Sequence, residues 1–349
     1  MKTLNAVNVI LGYKLAEGFR RRIAELDGRV RVWDLSGLLQ KELQWTDQPR
    51  ISGGERAELY GLLHDAEVFI LPRPPKKMPS GSPKISDIFS ESSGLKWIHY
   101  VGAGLNCFDE MGIWETKAIV TNSSGVAAIP ISEHVLYMML VFARKALVNF
   151  ANKTDKRWVR IKSCELRGKT LGILGFGHIG QETARLAKAL GMRVIVTRRS
   201  AVPELPTPNV DQVYPLDDLL ALLAECDFLL LALPLTRKTA KIIGAAELRA
   251  MKPTAYLINI ARGKLIDEPA LIQALEEGWI AGAGLDVFAE EPLPPENPLW
   301  ELPNTIITCH DSNSTGMADE RIVELFCTNL KKYLNNEPLL NVVDKEKGY

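Results

Sequence analysis

Gly175, Gly177 and Gly180 separate the apolar run 171–174 from a segment in which Ala184, Ala187 and Leu190 recur at helical spacing before Gly191. A strand that turns this tightly into a helix belongs in a parallel sheet, where a crossover helix carries the chain back to begin the next strand. The remaining sequence keeps that rhythm, alternating short apolar or β-branched runs with charge-rich amphipathic segments. Strands are predicted at 7–11, 30–33, 67–71, 96–100 and 118–121, with helices at 15–26 and 55–64. A second series begins near 169 and continues at 193–197, 227–233, 255–260, 281–287 and 305–309. The chain is therefore α/β, with two doubly wound parallel-sheet domains, and 349 residues that are 46% hydrophobic suffice for two cores.

Residues 132–149 read as a helix apolar on more than one side, fit either for a subunit contact or for the core between domains. Residues 72–93 carry five prolines among Lys, Gly and Ser and read as a long loop, either a plain insertion or a flap. Lys plus Arg equals Asp plus Glu, 42 each, so no basic excess exists to meet nucleic acid or an anionic membrane. The N-terminal apolar stretch runs at once into Lys14, Glu17 and Arg20, unlike a secretion signal, and nothing approaches the roughly 20 apolar residues of a membrane span. Five scattered cysteines without a CxxC pair argue against disulfides and structural zinc and suit a reducing cytoplasm. Five dispersed histidines offer no metal cluster.

The turn Gly175-Phe176-Gly177-His178-Ile179-Gly180 has the spacing that binds a dinucleotide pyrophosphate. Its first glycine allows the turn, the second lets phosphate approach and the third lets helix and strand pack, while the helix start supplies free N–H groups. About 20 residues on, where an acidic ribose acceptor is expected, the chain reads Thr197-Arg198-Arg199-Ser200. Two guanidiniums suit a 2′-phosphate, so NADP is preferred, with NAD the alternative.

Three further segments end strands of the second series: 258–263 with Ile260, Ala261 and Arg262, 284–294 with Asp286 and Glu291, and 307–310 ending in His310. Together with the glycine turn, in order and spacing, they resemble the D-isomer-specific 2-hydroxyacid dehydrogenases, over nearly the whole chain from about Lys96 onward. The resemblance implies a Rossmann cofactor domain, 125–311, inserted into a flavodoxin-like substrate domain formed by 1–124 and 312–349. It also implies a cleft that closes over substrate, and hydride transfer between a nicotinamide cofactor and a 2-oxo acid/(2R)-hydroxy acid pair. Arg262 would bind the substrate carboxylate, and His310 would act as general acid or base. Glu291 would hold the imidazole and favour its charged form. Asp286 would accept from the nicotinamide amide, Leu233 and Pro234 would flank the adenosine, and Ala103 and Gly104 would offer N–H groups to the carboxylate.

Two positions depart from the family: Cys309 replaces a usual proline, its expected role packing, and Asp311-Ser312-Asn313-Ser314-Thr315 replaces a glycine-rich turn. Glyoxylate and hydroxypyruvate are the expected substrates, and a homodimer the expected assembly. Alternatives are a dinucleotide-sensing regulator on the same fold and a phosphite-type dehydrogenase; Glu291, where formate enzymes carry glutamine, argues against formate.

Overall fold

The computed structural model describes residues 6–45, 49–75, 82–89, 92, 94–105, 107–197 and 207–345. It divides into two compact units, Met1–Val126 with Gly316–Tyr349, and Ala127–Thr315.

In the first unit, β1 (Val7–Leu11), β2 (Val30–Asp34), β3 (Val68–Leu71), β4 (Trp97–Tyr100) and β5 (Ile119–Asn122) form one parallel sheet in the order β2-β1-β3-β4-β5. This is the flavodoxin-like winding, reversing between β1 and β3. The central strands are buried on both faces because alternate side chains enter different cores. Ile98 joins Phe69 and Phe108 on one side, whereas Trp97 joins Val9 and Val68 on the other. Helix Ala318–Leu334 covers this second side, its Phe326 ring stacked 5.1 Å from Trp97. Beyond that helix the chain returns to the sheet: Val342 bridges Thr121, and the Val343 N–H donates to the Val120 carbonyl.

The second unit holds β6 (Thr170–Leu174), β7 (Arg193–Thr197), β8 (Gln212–Tyr214), β9 (Phe228–Leu231), β10 (Tyr256–Asn259), β11 (Gly282–Leu285) and β12 (Thr305–Ile307). Their order, β12-β11-β10-β9-β6-β7-β8, places the reversal between β6 and β9. That switch point is where open α/β sheets bind ligands, and the glycine turn follows β6.

Three sequence expectations change. The segment 132–149 is two helices, Ala128–Ala143 and Ala146–Thr154, broken where Lys145 takes a left-handed φ of 54°. The 72–93 loop contains a short helix, Ile85–Phe89, whose Ile85, Ile88 and Phe89 are buried in the first core. The short edge strand β8 was not anticipated. Among the described residues no single helix is long and apolar enough to cross a membrane, and no group of His, Cys, Asp and Glu could hold a metal.

Candidate active site

The turn after β10 is shaped by the strand's last side chain. Asn259 is fully buried; its Oδ1 accepts from the Ala261 N–H at 3.1 Å and its Nδ2 donates to the Arg262 carbonyl at 2.9 Å. This sets Arg262 just before the one-turn 3-10 helix Gly263–Leu265, with its guanidinium donating to the Ala261 carbonyl at 2.6 Å. Ile260 is buried beneath. At Gly263 a Cβ would lie 1.8 Å from the Phe288 carbonyl carbon and 2.3 Å from the Ala289 nitrogen. Only hydrogen fits there, so the backbone after β10 lies directly against the backbone after β11.

That second loop carries Glu291. One oxygen, Oε1, accepts from the Phe288 N–H at 3.2 Å, and the other lies 2.7 Å from His310 Nδ1. The carboxylate is thus fixed by its own loop before it holds the imidazole. With Nδ1 committed, Nε2 is the nitrogen left to meet a ligand, and the His310 side chain, 42% exposed, is open to one.

His310 follows β12 with φ 55°, and the turn beyond it is tied to Asp286. The His310 N–H donates to the Asp286 carbonyl at 2.8 Å. The Asp286 carboxylate accepts from the Asp311 N–H at 3.0 Å, the Ser312 N–H at 3.2 Å and the Thr308 hydroxyl at 2.6 Å. Asp286 itself is fully buried, its carboxylate engaged by these three groups. The turn 311–315 needs no glycine, because a carboxylate gathers its N–H groups. Cys309, expected to pack, is exposed.

At the switch point, Gly175 has φ 97°, and a Cβ on it would lie 2.7 Å from the Ala232 carbonyl and from the Leu233 nitrogen. The turn therefore rests on the chain leaving β9, where the Pro234 carbonyl accepts from the Thr239 hydroxyl at 2.7 Å. Gly180 abuts the Gly175 carbonyl, Phe176 and Ile179 are partly buried, and Gly177 and His178 are exposed. Helix His178–Ala189 begins without a side-chain cap. Its first N–H groups and dipole favour an anion, and open space at Gly177 lets one approach, so these residues fit a dinucleotide pyrophosphate. Thr197 is buried at the end of β7. Arg198, Arg199 and Ser200 lie outside the described residues.

In the first unit, the Gly102 and Ala103 carbonyls accept from the Ser123 N–H at 2.9 Å and from Asn122 Nδ2 at 3.3 Å. With the carbonyls drawn to that side, the Ala103 and Gly104 N–H groups have no acceptor among the described residues. Sequence reasoning found this loop but missed Asn122 and Ser123, and likewise Asn259 and Thr308. The Asn122 clamp follows from the register Tyr100↔Asn122 between β4 and β5, which no local motif encodes.

Comparison with known proteins bears on this arrangement. Residues 136–312 match the family described as D-isomer specific 2-hydroxyacid dehydrogenase, NAD binding domain. A glyoxylate reductase of Thermococcus gammatolerans is 38% identical over 269 residues, covering 74% of this chain and 79% of that protein. A D-3-phosphoglycerate dehydrogenase of Methanocaldococcus jannaschii is 37% identical over 84% of this chain and 54% of its own length. Among solved structures, the NADPH-dependent glyoxylate/hydroxypyruvate reductase of Sinorhizobium meliloti, in complex with NADP and sulfate, superposes with a TM-score of 0.74 at 26% identity, covering 98% of this chain and 100% of that one.

Proposed function

Because the chain belongs to the D-isomer specific 2-hydroxyacid dehydrogenases and is an NAD(P)-dependent dehydrogenase, we propose that it reduces a small 2-oxo acid, glyoxylate or hydroxypyruvate, drawing on NADPH. The observation that carries this reading is the 2.7 Å contact between Glu291 and His310 Nδ1, on a loop locked through Gly263 to the turn bearing Arg262. One arrangement thereby holds a cation for a carboxylate and a proton donor for a developing alkoxide.

The turn 175–180, Leu233, Pro234 and Thr197 would hold the dinucleotide, whose nicotinamide supplies the hydride when bound. Arg262 binds and orients the substrate carboxylate through its forked donors. His310 Nε2 gives its proton to the substrate oxygen in reduction and takes one back in oxidation, while Glu291 fixes the ring and balances its charge. The Ala103 and Gly104 N–H groups are donors to the carboxylate in the same reading. Arg198 and Arg199, in place of an acidic ribose acceptor, favour the 2′-phosphate of NADPH.

A homodimer belongs to the same proposal. Ile129, Tyr137, Leu140, Val148 and Phe150 are exposed along the helix pair 128–154, and Trp158 beyond it is 98% exposed. Such a run of large apolar side chains marks an interaction surface, which a second copy would cover. Light scattering should return twice the chain mass, and a monomer mass would refute this.

The activity test follows absorbance loss of NADPH, and separately NADH, with glyoxylate, hydroxypyruvate and pyruvate. Turnover should fall about 100- to 10,000-fold in His310→Ala, and the preference for NADPH should shrink in Arg198→Ala and Arg199→Ala. NADPH binding with no turnover on any oxo acid would sink the reading.

A further inference from the structure

His134, in helix Ala128–Ala143, is 174 residues from Thr308 in sequence, yet its Nε2 lies 3.2 Å from the Thr308 hydroxyl oxygen. That hydroxyl is 2.6 Å from Asp286 Oδ1. A carboxylate only accepts, so the Thr308 proton is committed to Asp286, and the Thr308 oxygen must accept from the His134 Nε2–H. A directed line results: imidazole to hydroxyl to buried carboxylate. The same Oδ1 accepts from the Asp311 N–H, and Oδ2 accepts from the Ser312 N–H. Among the described residues Asp286 makes no ion pair. Dipoles alone balance its charge, in the manner of an anion nest built from consecutive N–H groups.

The turn organised in this way puts His310 in the left-handed region, φ 55°. A residue with a Cβ pays about 1–2 kcal/mol for that conformation and keeps it only where its surroundings over-determine it. The Asp286 carbonyl and carboxylate supply that determination, and Thr308 with His134 fixes which way the carboxylate faces.

We propose that Thr308 and His134 are positioning residues for the acid–base histidine, acting through Asp286 to keep the His310 ring aligned on Glu291. The kinetic consequence rests on the reductase reading above; the geometric consequence does not. Aligned on Glu291, the neutral imidazole carries its proton on Nδ1 and leaves Nε2 bare, the reverse of the tautomer free imidazoles favour.

The test reads that tautomer directly. Protein labelled with 15N-histidine shows five imidazoles, and His310 is assigned by its loss in His310→Ala. In Thr308→Val, which keeps the shape and removes the hydroxyl, the His310 nitrogen shifts should move from the Nδ1–H pattern toward a mixture. Turnover should fall about tenfold with NADPH affinity unchanged, and Thr308→Ser should restore both. His134→Phe should give a smaller change in the same direction, which His134→Gln, still offering an amide N–H, should reverse; this pair decides if Thr308→Val does not fold. His310 shifts in folded Thr308→Val or His134→Phe that overlay the unsubstituted protein would overturn the proposal, whatever happens to turnover. An unsubstituted protein inactive on every oxo acid would overturn the reductase reading instead, and the tautomer would still decide this one.

Discussion

His99 should make the first unit lose stability in mild acid. It is fully buried on β4, and burial lowers its pKa from 6.5 to about 3. The wiring agrees with a neutral ring. Thr121 Oγ1 accepts from Trp97 Nε1 at 2.8 Å and turns its proton toward His99 Nδ1 at 2.9 Å. Ser123 donates to the Tyr100 carbonyl at 3.1 Å, so its oxygen accepts from His99 Nε2–H at 3.2 Å. No position remains for a second ring proton. In the unfolded chain the same imidazole titrates near 6.5, so between that value and about 3 the unfolded state binds a proton that the folded state refuses. The associated stability is complete above the unfolded pKa and is lost as pH falls through this window. From about pH 7.5 to about pH 5.5 the loss is about 1.4 kcal/mol. Carboxylates with lowered pKa, such as Asp27 and Glu55, enter only as pH falls further toward their unfolded values of 3.8 and 4.5. Amide exchange of peptides covering β4 and β5 measures the opening free energy of this unit at both pH values. His99→Gln keeps a donor and an acceptor but does not titrate. It should be less stable at the higher pH, yet lose about 1.4 kcal/mol less on acidification. Equal losses in the two proteins would refute the reasoning.

Two substitutions test the packing. Gly263→Ala should force the Arg262 turn and the Glu291 loop apart, since its Cβ would sit 1.8 Å from the Phe288 carbonyl carbon; turnover should fall at least tenfold beyond any change in melting temperature, and wild-type kinetics would show that the two loops are not coupled there. Gly172→Ala would bring a Cβ to 2.2 Å from the Cys226 Sγ and should cost about 1–3 kcal/mol in urea unfolding; in Gly172→Ala with Cys226→Ala the two costs should fall short of additivity by about 1 kcal/mol or more, and strict additivity would contradict the contact.

The strands were legible because both central sheets are buried on two faces, and continuous apolar runs such as 68–71 and 228–231 have few other uses. Lys145 broke the long helix without a sequence signal, since neither proline nor glycine marks it. The helix 85–89 was hidden by prolines upstream, although Lys84 N–H donating to Asp87 starts it. At the site, Arg262 and His310 stand in the turns just after β10 and β12, and Glu291 in the loop after β11, as the order of segments predicted. That Asp286 also anchors the 311–312 turn was not legible, because it is a property of β11 and β12 lying side by side. The same holds for His134 and Thr308, which meet only once the helix packs on the sheet.

The return of residues 341–343 to β5 has a consequence for how the molecule is made. As the ribosome delivers the chain, the sheet of the first unit is spun out early, but the helix that shields its Trp97 face and the segment that bridges Thr121 emerge only after residues 127–315. The inserted unit can close its own core while its host still shows apolar surface to the cell. Nascent chains halted near residue 315 should therefore be bound by chaperones through the first unit and released only once residues 318–343 have left the ribosome, so that the part translated first is the part finished last.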